Sequence, residues 1–137
     1  MVVYQLKADT NHIARVKRAT RTTKVFGIES THGLFGSEEW WKQIASGRLR
    51  VITLKGVIAK CYMGSMNDWP MFDLLGDDGE KTRWTRQLNA PELDSLYREG
   101  STAEIDYVMQ NHRPRYFWRR GVPHKVVIEI RITAVDK

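Results

Sequence analysis

Over Thr102–Gln110, Ala103, Ile105, Tyr107 and Met109 alternate against Glu104, Asp106 and Gln110. The same pattern returns over Val126–Thr133, with Val126, Ile128, Ile130 and Ile132 against Glu129 and Arg131. A repeat of two is that of a strand with one face in the core and one in solvent, so a chain like this must be organised around a sheet. Arg48–Met63 is a longer strand signal, apolar on both faces and broken by Gly56. A glycine inside a strand predicts a bulge or sharp bend, here between VITLK and VIAKCYM. Trp69–Leu75 and Glu80–Gln87 are two further strands, joined by Gly76-Asp77-Asp78-Gly79, a strong hairpin sequence. Pro70 belongs near the start of its strand, because proline cannot donate to a ladder.

Helical signals are fewer. Ser37 is a good N-cap, Glu38 and Glu39 favour the positive end of a helix dipole, and Gly47 is a suitable stop, so Ser37–Gly47 reads as a helix. Trp40, Trp41 and Ile44 give it an apolar face, with one Trp in the core and the other free to cover a sheet edge. Pro91–Arg98 reads as a short helix ended by Gly100. In the first 30 residues, Val2–Leu6 has strand character, Asn11 is placed to cap a helical turn through Arg18, and Thr22–Ile28 has strand character again.

With 137 residues the chain is read as one domain, 1–137, long enough to bury a core of its own. Its single cysteine, Cys61, excludes an internal disulfide and sits in an apolar run, which points to inert packing in a reduced, cytoplasmic setting. The first residues lack a secretory pattern, and no apolar run is long enough to span a membrane, so no membrane association is expected. His12, His32, His112 and His124 are scattered, and Asp77 and Asp78 are turn residues, so neither a metal nor a cofactor is expected. No paired carboxylates, nucleophile–base set or phosphate-cradling glycine loop is recognisable, and the chain is read as a non-enzyme.

The net charge of +6 is uneven. Residues 11–24 carry Arg15, Lys17, Arg18, Arg21 and Lys24 with no acid, while residues 51–110 hold 6 bases and 10 acids. The second basic segment is His112–Lys125, HRPRYFWRRGVPHK, with Arg113, Arg115, Arg119, Arg120 and Lys125 around Tyr116, Phe117 and Trp118. Guanidinium groups neutralise phosphates and aromatic faces stack on unpaired bases, so this composition suits a loop that grips a single-stranded nucleic acid. The competing reading folds the rings over the end of a sheet and leaves the arginines as a solvated rim.

Residues 48–134 thus run strand, strand, strand, short helix, strand, strand. That order, with a long bent first strand, resembles the OB-fold, a five-stranded Greek-key barrel. The resemblance rests on element order without a diagnostic motif, and residues 1–47 would be an N-terminal helical extension. It implies a mainly β fold and a binding face on Trp69–Leu75 and Glu80–Gln87, flanked by the loops Gly64–Asp68 and Asn111–His124. Arg83, Trp84 and Arg86 lie on the third strand. Alternation puts Trp84 and Arg86 on one side and Arg83 on the other. If the first side faces out, Trp84 stacks a base; if it faces in, Trp84 is core and Arg86 emerges at the barrel end. Trp69 is read as a plug for the barrel mouth.

The expectation is therefore binding of single-stranded DNA or RNA with low sequence specificity. Arg83, Arg86, Arg113, Arg115, Arg119 and Arg120, with Lys60 assisting, would contact phosphate, and Trp84, Tyr116 and Trp118 would stack bases. The alternative is a protein-interaction or regulatory accessory module docking through the same surface, because Trp, Tyr and Arg are also the residues enriched at protein interfaces. The sequence carries no signal of oligomeric state.

Overall fold

A computed structural model describes residues 1–22, 35–64, 69–111 and 123–134. Its strands are β1 (Val2–Gln5), β2 (Ile52–Met63), β3 (Pro70–Gly76), β4 (Lys81–Thr85), β5 (Thr102–Asn111) and β6 (Pro123–Thr133). Its helices are α1 (Thr10–Thr22) and α2 (Glu38–Ala45), with short 3-10 turns at Leu6–Ala8 and Pro91–Leu96. The chain divides into two compact units.

The first unit comprises Met1–Gln5, Thr53–Asp106 and Ile128–Lys137. It holds one sheet in the order β1-β6-β5-β2-β3-β4, open between β1 and β4. The expected closed five-stranded barrel is therefore replaced by an open six-stranded sheet. The physical reason is β1, which pairs antiparallel with β6 and makes the N-terminal residues part of the sheet rather than an appendage. The outer edge of β1 then takes its hydrogen bonds from a single residue beyond β4. Asn89 N–H donates to Val3 O at 3.1 Å, Gln5 N–H donates to Asn89 Oδ1 at 2.7 Å, and Asn89 Nδ2 donates to Gln5 O at 3.2 Å. One asparagine imitates a neighbouring strand there, covering an edge that would otherwise offer unpaired backbone groups.

Two irregularities set which side chains face inward. In β1 the register shifts between Val2 and Tyr4, and consecutive residues Val3 and Tyr4 are both buried. In β2 Ile58 faces Leu74 while Lys60 faces Asp73, so Ala59 is an extra residue with no partner opposite. The expected bend at Gly56 is thus displaced by a few residues, and β2 runs through as one strand. Gly56 instead permits close approach between strands, since it faces Gly76 and a Cβ there would lie 2.9 Å from the Leu75 carbonyl carbon. The inner face carries Ile58, Phe72, Leu74, Trp84, Ala103, Ile105, Ile130 and Ile132. At the hairpin, Gly79 adopts φ 82° and its N–H donates to Gly76 O at 3.0 Å, as the glycine-aspartate sequence requires.

The second unit comprises Leu6–Ile52 and Tyr107–Val127. Asp9, not Asn11, caps α1: its Oδ1 accepts from His12 N–H at 3.3 Å. In α2, Ser37 Oγ accepts from Trp40 N–H at 3.2 Å, the capping role its sequence suggested. Trp40 is buried, its ring 4.9 Å from Phe35, and its indole N–H donates to buried Gln110 Oε1 at 3.0 Å. Trp41 is half-buried, 4.8 Å from Trp40, with Lys7 Nζ 4.8 Å from its ring centre. The alternation expected along β5 changes phase where the strand enters this unit. Ala103 and Ile105 are buried as expected, but Val108 and Gln110 follow them inward while Met109 is exposed. The strand expected over Thr22–Ile28 lies outside the described residues except for Thr22, which ends α1.

Candidate functional site

Strand pairing builds three cross-strand rows on the outer face of β2, β3 and β4. They are Val57–Leu75–Lys81, Lys60–Asp73–Arg83 and Tyr62–Met71–Thr85. The extra residue Ala59 makes this possible: Val57 on one side of it and Lys60 and Tyr62 on the other all face outward. Were Ala59 paired as an ordinary strand residue, Lys60 and Tyr62 would turn to the opposite face from Val57, because each single-residue slip turns side chains over.

Tyr62 ties its own row to the middle one. Its hydroxyl donates to Asp73 Oδ1 at 2.7 Å, with Lys60 Nζ 5.3 Å and Arg83 Cζ 5.9 Å from its ring centre. Both cations lie within the range where a ring face attracts them. Desolvation and the bond to Asp73 together hold the Tyr62 phenol above its usual pKa, so it stays a neutral donor. Trp69 is 58% exposed, its indole N–H donating to Thr85 Oγ1 at 3.0 Å. Leu75 and Val57 are also exposed at 42% and 43%, large apolar groups standing among lysines.

Further along the same sheet, Thr53 Oγ1 donates to Asp106 Oδ1 at 2.7 Å, which places an acidic group on this outer side. There Arg131 donates to Asp106 at 2.8 and 3.0 Å, to Glu104 at 3.2 Å and to Glu129. The Arg131 guanidinium holds the Asp106 carboxyl below its usual range. The outer face is therefore basic and aromatic over β2–β4, and acidic over β5–β6.

The residues expected at the site separate. Arg83 is on the outer face. Trp84 is 5% exposed, with its indole N–H donating to Thr82 Oγ1 at 2.7 Å, so it is core and has no ring face to offer a base. Arg86 sits on the Trp84 side, its guanidinium 3.8 Å from Asp94 and 3.6 Å from Met63 Sδ. Trp69 is turned outward instead of plugging a barrel. Arg113, Arg115, Tyr116, Trp118, Arg119 and Arg120 lie outside the described residues. The residues that the sequence reading missed are Tyr62, Leu75 and Val57, hidden because β2 is apolar on both faces until Ala59 is recognised as the extra residue.

Catalytic and metal chemistry find little support in these side chains. Burial pushes the Cys61 thiol up, against the pull of nearby Arg86, so it stays protonated at neutral pH and donates to Tyr97 O at 3.4 Å. Burial likewise holds the Tyr97 phenol far above its usual value. Among the described residues, no three His, Cys, Asp or Glu side chains group to hold a metal. No helix among them is long and apolar enough to cross a membrane.

Comparison with known proteins decides between the two kinds of partner that a cationic, aromatic face could serve. The family model for immunity protein RhsI2 matches residues 1–133. The chain belongs to the RhsI2 immunity protein family. No curated protein matches the sequence.

Membership in the RhsI2 family overturns the expectation of single-stranded DNA or RNA as partner, and with it the resemblance to an OB-fold nucleic-acid-binding domain. It favours the alternative, a protein partner engaged by aromatic and Arg side chains. The error has a physical source. Phosphate and carboxylate attract the same guanidinium groups, and rings stack on bases or fill protein pockets alike, so composition could not separate the two.

Proposed function

We propose that this chain is the non-enzymatic antidote to a protein toxin, binding its cognate Rhs effector and blocking it by direct contact. The match of the RhsI2 immunity family over residues 1–133 carries this reading. The outer sheet face supports it, because exposed Trp69 and half-buried Tyr62 with Arg83 near its ring are of the residue types that dominate protein–protein binding energy. A protonated, hydrogen-bonded Cys61 fits a packing role better than a nucleophile.

The test is direct. The chain is co-expressed with the toxin domain of its cognate effector, and growth is followed. The purified pair is then run on a sizing column. Protection together with co-elution supports the reading, whereas a toxin that kills equally with and without the chain, and elutes apart from it, refutes it.

A further inference from the structure

We propose that the outer face of β2–β4 is where the toxin docks, and that the toxin meets it with an acidic surface surrounding an apolar pocket. This rests on the antidote reading above and names the surface and partner chemistry that would carry it out.

Charge gives the first argument. In the paired rows of this face Lys60, Lys81 and Arg83 project against one carboxylate, Asp73, which already accepts a hydrogen bond from Tyr62. The cations therefore lack an internal counter-charge of equal weight, unlike Arg131, which meets three carboxylates. A partner carboxylate would supply what Asp73 cannot, and opposed fields speed encounter and fix orientation.

Exposed apolar surface gives the second. Trp69 at 58%, Val57 at 43% and Leu75 at 42% leave large groups in water on the solvent side of a sheet whose other side is already a filled core. Trp69 is of the residue type that anchors interfaces, and Val57 and Leu75 add exposed apolar area in the row that ends at Lys81. Tyr62 is held ready, its hydroxyl tied to Asp73 and its ring flanked by Lys60 and Arg83. A side chain already fixed loses little entropy on binding.

Size gives the third. Strands about 4.8 Å apart and rows about 7 Å apart make a patch roughly 15 Å across. That is the extent of an energetic centre, not of a full interface of about 800 Å² per partner. Residues around it complete the contact while the centre supplies most of the affinity.

The experiment measures affinity for a catalytically inactivated toxin domain by calorimetry. Lys60→Glu/Arg83→Glu should weaken binding by at least about 30-fold, and Trp69→Ala by about 10-fold or more. Lys42→Glu, on an exposed helical position outside the patch, should stay within about twofold. Lys60→Ala/Arg83→Ala, a milder pair checked for wild-type circular dichroism, should give an intermediate loss and guards against misfolding of the reversal. Parent-like affinity in both double variants overturns the docking site and leaves the antidote reading standing. So does a loss in Lys42→Glu at least half that of the reversal in free energy, since the first changes the net charge by two and the second by four, and net charge alone would then be responsible. A wild-type chain that does not bind the toxin at all overturns both.

Discussion

Replacing Arg131 by Met keeps most of the apolar stem and removes the cation that three carboxylates share. A charged hydrogen bond contributes about 1.5–3 kcal/mol when buried and an exposed ion pair about 0.2–1 kcal/mol. The Arg131 side chain is 30% exposed and those of Asp106, Glu129 and Glu104 are 19%, 23% and 39%, between those limits. About 1 kcal/mol for each partner gives a loss of about 3 kcal/mol near neutral pH. Acid should shrink the difference. Asp106 has a folded-state pKa depressed mainly by its bond to Arg131, so its contribution is full above the ordinary 3.8 and is lost as pH falls through the depressed value. Urea unfolding at about pH 7 and at successive steps into acid follows the gap. A variant within about 0.5 kcal/mol of the parent at neutral pH, or a gap that keeps its size in acid, would refute this role for Arg131.

Contacts in the two units set three further outcomes. Trp40→Phe strands the Oε1 of buried Gln110, whose Nε2 has no partner among the described residues, and should cost about 1–3 kcal/mol by denaturant titration. Adding Gln110→Leu should recover part of that loss, and a strictly additive double variant would exclude the coupling. Gly56→Ala puts a methyl 2.9 Å from the Leu75 carbonyl carbon and should destabilise by more than about 2 kcal/mol, seen as a lower melting temperature. Asn89→Ala removes two bonds to Gln5 and should cost about 1–2 kcal/mol, with faster hydrogen exchange at the Gln5 amide; unchanged exchange would mean that the edge needs no cover.

What could be read in advance divides by the range of the physics. Local signals transferred well: the Ser37 cap, the hairpin at Gly76–Gly79 and the alternating strands all depend on residues near one another in sequence. Register shifts did not. Nothing in KGVIAKCY shows that Ala59 is the unpaired residue, since the competing glycine at position 56 is the usual marker of a bulge. The phase change between Ile105 and Val108 is equally silent, set by which unit each half of β5 packs in. Those shifts decide which side chains reach solvent, so Tyr62 was missed, whereas plain alternation along β4 already set Trp84 and Arg83 on opposite sides and left open which side faces in. Partner class was harder still, because the forces that recognise a phosphate and an acidic protein surface are the same.

The unpaired Ala59 also says where this protein can change length. Deleting it would restore a regular ladder and leave Val57, Lys60 and Tyr62 pointing as they do now. Dropping a residue elsewhere in that strand would exchange the cationic side chains for buried ones. One position can therefore be shed at this point without turning the outer face of β2–β4 inside out.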